Sequence, residues 1–173
     1  MVRNLCAVAL SDIETTFLPI GSLSNRNIAQ YLGEHFEGFR VLLMEIDPDS
    51  LACYKEYWSR IVLPDEEVGG GIYRVYSRQP ILKNLSRLYG HGVLDIVKNM
   101  RAWDTLDFPK GMTFEEKVVF RERNLESIIG EILEEYGGQA KHSICLVAGI
   151  GHEDAIEQIM MKHNIMLERI DAQ

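Results

Sequence analysis

The chain has 173 residues, of which 46% are hydrophobic and 25% charged, and these proportions are typical of a soluble globular protein rather than a fibrous or disordered one. A chain of this length is expected to form one compact domain over residues 1–173. The net charge of −8 and the scattered basic residues argue against a nucleic-acid partner, because a phosphate backbone would be repelled.

The sequence also indicates where the protein works. It lacks an apolar run of the roughly 20 residues that cross a bilayer, and the apolar stretch near its start ends at Asp12, too early for a signal peptide. We therefore expect a cytoplasmic protein without membrane contact. Cys6, Cys53 and Cys145 are widely spaced and form no CxxC pair, which predicts reduced, buried thiols rather than disulfides or a thiolate metal site.

The first part of the chain predicts strands and one helix. Short strands are expected at LCAVAL (5–10) and TTFLPIGS (15–22), and apolar residues at helical spacing predict a helix over 27–37. The continuous apolar run VLLMEI (41–46) is typical of a strand covered on both faces. Residues 15–47 therefore read as a parallel strand-helix-strand unit.

The middle of the chain predicts helices around one loop. Asp47 and Pro48 suit the first turn of a helix that continues through LACYKEYWSRIV (51–62). The acids and three glycines of PDEEVGGGIY (64–73) predict a mobile loop. A further helix is expected over 80–102, with a break near Gly90 and Gly92.

The last part predicts a return to alternating helices and strands. A helix over 113–136 begins with the capping-box spacing of TFEE and ends at the glycines 137–138. A strand over 142–149, a helix over 153–163 and a strand over 165–170 follow. The whole pattern predicts a three-layer α/β domain with a mostly parallel central sheet and a helical insert between its strand-helix units.

The turn GIGH is the first candidate site, because parallel sheets bind ligands outside the carboxyl ends of their strands. Gly149 and Gly151 would permit a tight turn, and His152 is either a metal ligand or acid-base group or only a cap of the next helix. Glu153 and Asp154 in the first helical turn suit the helix dipole but discourage a phosphate ligand.

Two acids at the end of the 41–46 strand form a second candidate. Glu45 and Asp47 could bind a hard cation or serve as a base and its orienting partner. They could equally pair with an arginine and cap the next helix. Arg123 is predicted near an inward face of its helix, where it would need a carboxylate partner such as Glu45.

Two family resemblances bear on function. The segment VLLMEIDPDSL (41–51) is similar to the acidic, ribose-binding strand end of nucleotide-dependent methyltransferases, although the preceding turn LPIGSLSN has a single glycine. Three segments together resemble the TraB/PrgY and Tiki-like superfamily, namely 20–51, FRERNLESIIGEIL (120–133) and SICLVAGIGHEDAI (143–156). They cover about a third of the chain and follow one another in the expected order, so the methyltransferase is the minor alternative.

The TraB-like resemblance implies a metal-assisted hydrolase. Gly149 and His152 match the family's second Gly-x-x-His turn, Glu45 matches its strand-end acid and Arg123 its helix arginine. These matches imply His152, Glu45 and Arg123 as catalytic residues, with His152 and Glu45 as ligands of a divalent metal. The metal would lower the pKa of a bound water and so supply the nucleophile.

The first turn departs from the family pattern. Gly21 is present, but Ser24 stands where the resemblance implies a histidine, and serine is a poor ligand for a transition metal. The glycines and serine of the two turns are predicted to border the substrate: Gly21, Ser24, Gly149 and Gly151. The ligand would be a small molecule or a peptide.

The altered turn leaves a second function open. A non-catalytic binding or regulatory protein could keep this scaffold with a degenerate site. The apolar residues of the segments 51–62 and 81–97 could then form a homodimer face, although they could also simply face the core.

Overall fold

The computed structural model of the protein describes residues 14–60, 66–136 and 143–172. Within these ranges five parallel strands form one sheet: β1 (Glu14–Ile20), β2 (Val41–Met44), β3 (Met100–Ala102), β4 (Ser143–Gly149) and β5 (Met166–Arg169). Their order across the sheet is β3-β2-β4-β1-β5. The predicted strand at 5–10 lies outside the described residues.

Helices cover both faces of the sheet. They are α1 (Asn25–His35), α2 (Pro48–Ser59), α3 (Glu66–Arg78), α4 (Pro80–Tyr89), α5 (Val93–Val97), α6 (Phe114–Tyr136) and α7 (Glu153–Lys162). Helices α1 to α5 pack on one face, and α6 and α7 pack on the other. The predicted three-layer α/β fold with a parallel sheet is confirmed. None of the helices in the described ranges combines the length and apolar composition that a membrane crossing requires.

Alternating burial explains why β2 is apolar throughout. Leu42 and Met44 enter the core under α1 to α5, whereas Val41 and Leu43 enter the core under α6 and α7. Each of these four side chains is at most 1% exposed. A strand that is buried on both faces needs an unbroken apolar run, as the sequence predicted.

The predicted strand-helix-strand unit is confirmed as β1, α1 and β2. β4 lies between the two strands and pairs with both of them in parallel register. Helix α1 begins earlier than predicted because the Ser24 side chain accepts a 3.1 Å hydrogen bond from the Asn27 amide and caps it. The predicted cap of α2 is also confirmed, since Asp47 accepts a 2.9 Å hydrogen bond from the Ser50 amide.

The loop predicted over 64–73 is wrong from residue 66 onward, where α3 begins. Ile72 and Val75 are buried in the core, so this segment is held by packing. Gly71 faces α2, and a Cβ atom there would come 3.0 Å from the Cys53 sulfur. This glycine allows close helix packing rather than chain mobility.

The helix predicted over 80–102 is only partly confirmed. A break occurs at Gly90, whose φ is +52°, but residues 100–102 form β3 instead of a helix end. The strand is fixed by distant pairing with β2, where the Leu42 amide donates a 3.0 Å hydrogen bond to the Asn99 carbonyl. Such pairing leaves no periodic pattern in a three-residue segment.

The later predictions agree closely with the structure. Helix α6 begins with the predicted capping box, in which the Thr113 amide donates to Glu116 at 2.7 Å and the Glu116 amide donates to Thr113 at 3.2 Å. Its predicted end at 137–138 lies outside the described residues. β4, α7 and β5 lie where strand, helix and strand were expected.

The apolar residues considered for a homodimer face are used inside the chain. Leu51 and Tyr54 of α2, Leu82 and Leu85 of α4 and Val93 of α5 all belong to the buried core. These residues face the core, which is the second of the two interpretations given above. The homodimer stays a prediction, and no surface is assigned to it.

Two helical glycines provide a stability test. A Cβ at Gly33 would come 2.0 Å from the Tyr89 ring, whereas one at Gly130 would meet nothing within 4 Å. We expect Gly33→Ala to lower the free energy of unfolding by about 1–2 kcal/mol because the ring must be displaced. Gly130→Ala should raise it by about 0.5–1 kcal/mol through helix propensity. Urea unfolding measures both, and an equal gain at the two positions would contradict the packing of Tyr89 on α1.

Candidate functional site

A cavity of about 500 Å³ opens at the carboxyl ends of β1, β2 and β4. This is the edge at which parallel sheets bind ligands. Its polar and charged lining consists of Asn25, Glu45, Asp47, Arg78, Gln79, Asp104 and Arg121.

Glu45 lies at the centre of this edge, one residue beyond β2. Its Oε2 accepts a hydrogen bond from the Gly149 amide, and its Oε1 accepts a 2.6 Å hydrogen bond from Arg121 Nη2. The Gln79 side-chain amide donates to the Glu45 carbonyl at 2.8 Å. A Cβ at position 149 would lie 3.4 Å from the Glu45 carboxylate. Gly149 therefore allows its backbone to approach this acid closely.

Arg121 joins Glu45 to a second acid, Asp104. Its Nε and Nη2 donate to the two Asp104 carboxylate oxygens at 2.6 and 2.9 Å, in a bidentate pair. Burial alone would lower the pKa of Arg121, but the hydrogen bonds and charges of Asp104 and Glu45 outweigh it and raise that pKa. The guanidinium is thus a permanent cation that locks two carboxylates in place.

The predicted contact between Arg123 and Glu45 is wrong, because the arginine bonded to Glu45 is Arg121. Two residues along an α-helix correspond to a rotation of about 200°, so the two arginines point in opposite directions. Arg123 is exposed and lies beside Glu116, Val119 and Phe120 on the outer surface of α6.

His152 is buried between two carboxylates. Its Nδ1 lies 3.0 Å from Glu122 Oε1, and its Nε2 lies 3.8 Å from Glu45 Oε1. An ionised carboxylate can only accept, so Nδ1 is the donor in the 3.0 Å contact, and Nε2 is the ring nitrogen nearer to Glu45. The predicted convergence of His152 and Glu45 is therefore present.

Trp103 supports this group from the core. It is fully buried, and its indole N–H donates to the Val147 carbonyl at 2.9 Å. Its ring meets the His152 imidazole edge to face, with the centroids 5.5 Å apart. The Arg121 guanidinium lies over the same ring, 5.9 Å from its centroid. Trp103 therefore fixes both side chains relative to the sheet.

The first turn contributes less than was predicted. Gly21 has a φ of +102°, and a Cβ there would lie 3.4 Å from the Ile150 side chain, so the two turns are adjacent. Ser24 is exposed and caps α1, and the α1 residue that lines the cavity is Asn25. Gly151 faces open space, since a Cβ there would meet nothing within 4 Å.

Asp104, Arg121 and Glu122 are the charged residues around Glu45 and His152 that were missed from the sequence. Asp104 follows β3, and the strand-end rule that selected Glu45 would have selected it if β3 had been predicted. Arg121 and Glu122 stand in the same segment as Arg123. Only the rotational phase of α6 against the sheet distinguishes them.

The side-chain atoms around Glu45 that could bind a metal already take part in other contacts. One oxygen of Glu45 bonds the Gly149 amide and the other bonds Arg121, while His152 Nδ1 faces Glu122. In the described ranges, no three His, Cys, Asp or Glu side chains are grouped so as to hold a metal ion. Arg121 supplies the positive charge between Glu45 and Asp104, so these residues as arranged do not fit a divalent metal. The metal at His152 and Glu45 stays a prediction.

Comparison of the chain with family models, with curated proteins and with solved structures finds no match. The resemblance to the TraB/PrgY and Tiki-like superfamily therefore stays a prediction that rests on the three segments themselves. Function has to be inferred from the geometry at the sheet edge.

Proposed function

We propose that the protein is a small-molecule hydrolase of TraB-like α/β architecture, with its reaction at the carboxyl edge of the sheet. One observation carries the proposal: His152 lies between Glu122 at 3.0 Å and Glu45 at 3.8 Å. A buried imidazole oriented by one carboxylate, with its second nitrogen facing another polar group, is a frequent arrangement for acid-base catalysis.

In this proposal Glu122 is the positioning residue of the imidazole. By accepting a hydrogen bond from Nδ1–H, it favours the tautomer in which Nε2 is free to accept a proton. Nε2 then takes a proton from a water molecule as the water oxygen attacks the substrate carbonyl. The proton passes to the leaving oxygen or nitrogen when the acyl bond breaks, so His152 is regenerated.

Glu45 Oε1 lies 3.8 Å from Nε2, so its negative charge faces the positive charge that the ring acquires during this step. Arg121 and the Gly149 amide hold the carboxylate in that position. Arg121 is therefore a positioning residue, in the role that the family resemblance gave to Arg123.

The substrate is proposed to be neutral at its reacting end. The strongest charges at that end, Glu45, Asp104 and Arg121, already satisfy one another through bonds of 2.6 to 2.9 Å. A charged reacting group would compete with these bonds, whereas an ester or amide would not.

A non-catalytic binding or regulatory protein is the second candidate function. It is favoured by the same closed network, because Asp104, Arg121 and Glu45 hold α6 to the sheet without any ligand. In that case His152 would only stabilise the fold.

Hydrolysis of a panel of p-nitrophenyl esters and p-nitroanilides that are neutral at the reacting bond, with and without a carboxylate elsewhere in the molecule, tests the proposal. We expect His152→Gln to reduce kcat/KM by about 10²–10⁴-fold, the usual contribution of a general base. The matched control is His163→Gln, at the far end of α7, which should hydrolyse the same substrates as fast as the unchanged protein.

Thermal unfolding must accompany these assays, so that loss of activity is separated from loss of fold. Turnover that survives in a folded His152→Gln variant, or the absence of turnover with every substrate, would reject the acid-base mechanism. Turnover that disappears with chelator and returns with a divalent metal would instead favour the metal-assisted version.

A further inference from the structure

A second cavity, of about 590 Å³, adjoins the site cavity on the side of α2 and α3. The two share Asp47, Arg78 and Leu106 in their walls, so they lie side by side. We call the second cavity the outer lobe. Its charged walls are Asp47, Asp49, Arg74, Arg78 and Asp107, and it also contains Cys53.

Two arginines of the outer lobe stand on one face of α3. Arg74 and Arg78 are four residues apart, which places their side chains one above the other on a helix. Arg78 is only loosely held, with Nη1 3.5 Å from Asp47 Oδ2 and 3.4 Å from Ser50 Oγ. Arg121 is bonded to its carboxylates at 2.6 to 2.9 Å. Arg78 therefore keeps hydrogen-bonding capacity that Arg121 has already used.

The acids of the outer lobe limit which anion can bind. Asp47 is engaged as the cap of α2, since it accepts hydrogen bonds from the Ser50 amide and hydroxyl at 2.9 and 2.7 Å. Asp49 and Asp107 add two more negative charges to the walls. A phosphate dianion would be opposed by these carboxylates, whereas a single carboxylate needs only one bidentate guanidinium partner.

We infer that the outer lobe recognises a carboxylate on the ligand, with Arg74 and Arg78 as the specificity-determining residues. The apolar walls at Pro48, Val75 and Leu106 accommodate the uncharged body of the same ligand. Taken with the proposed function, on which this step rests, the substrate is an ester or amide that carries a carboxylate away from its reacting bond.

Cys53 gives a direct test, because its half-buried thiol lines the outer lobe. The full-length protein is treated with a maleimide, and modification of Cys53 is followed by peptide mass spectrometry. N-benzoylglycine is the probe, N-benzoylglycinamide is its uncharged match, and inorganic phosphate is the competing anion. We expect N-benzoylglycine to slow the labelling of Cys53 several-fold, whereas the amide and phosphate should leave the rate unchanged.

In the Arg74→Gln/Arg78→Gln variant, the concentration of N-benzoylglycine that gives half-maximal protection should rise about tenfold or more, as loss of charge-assisted hydrogen bonds implies. Arg87→Gln, an exposed arginine on α4, is the control and should keep full protection. Equal protection by the amide or by phosphate, no protection by the acid, or protection that survives in the folded double variant would each overturn the inference. Because labelling needs no turnover, protection without ester hydrolysis would reject the catalytic proposal alone.

Discussion

Replacing Arg121 by methionine is expected to lower the free energy of unfolding by about 2–4 kcal/mol. The change removes the guanidinium that bonds Glu45 and Asp104, and both carboxylates would remain largely buried without their cation. Removing one member of a fully buried ion pair costs about 3–5 kcal/mol, and the 23% exposure of the Arg121 side chain reduces that figure. Urea unfolding followed by circular dichroism measures the change.

Arg123→Met is the matched control, because it makes the same substitution two residues later on the exposed face of α6. Its effect should stay within about 0.5 kcal/mol. Equal losses for the two variants would contradict the rotational phase of α6. A larger loss of stability for Arg123→Met would mean that Arg123, the residue matched by the family resemblance, is the arginine that pairs with Glu45.

Adding Asp104→Asn to Arg121→Met separates the ion pair from simple packing. If Arg121 and Asp104 form the ion pair seen in the structure, the double variant should be more stable than the sum of the two single changes predicts. The coupling energy is expected at about 1–3 kcal/mol, within the range for charged groups in contact. A coupling near zero would mean that the pair with Asp104 adds nothing, so that Arg121 stabilises the protein only through Glu45 and its apolar stem.

The sheet was largely predictable because a strand that is buried on both faces is a continuous apolar run, which can be recognised in the sequence. β2 and β4 are continuous apolar runs, and each is covered by helices on both sides. β3 was missed since three residues cannot show a period, and its position is fixed by pairing with β2. α3 was missed because a run of glycines was taken for a loop, when Gly71 instead permits contact with α2.

The candidate site was predictable only where strand ends define it. Glu45, Gly149 and His152 follow β2 and β4 directly, and parallel strands bring their carboxyl ends to one edge. The residues of α6 depend instead on how that helix is rotated against the sheet. Arg121, Glu122 and Arg123 are chemically plausible partners in the sequence, and only tertiary packing selects the first two.

Replacing Trp103 by alanine is expected to cost about 3–5 kcal/mol, the range for truncating a buried aromatic side chain. Trp103 is fully buried and donates to the Val147 carbonyl at 2.9 Å. Its ring also contacts His152 and the Arg121 guanidinium. Both parts of the candidate site should therefore loosen together, which faster amide hydrogen exchange around Glu45 and His152 would report.

Phenylalanine at the same position separates the hydrogen bond from the volume of the ring. The Val147 carbonyl also accepts from the Glu45 amide at 3.1 Å, so Trp103→Phe should cost less than alanine, about 1–3 kcal/mol. Trp58→Phe is the control, because the Trp58 indole nitrogen is buried without a hydrogen-bond partner in the described chain. In urea unfolding, Trp58→Phe should lower the free energy of unfolding by less than Trp103→Phe does. Equal losses would mean that the hydrogen bond from Trp103 to Val147 adds nothing to the stability of the protein.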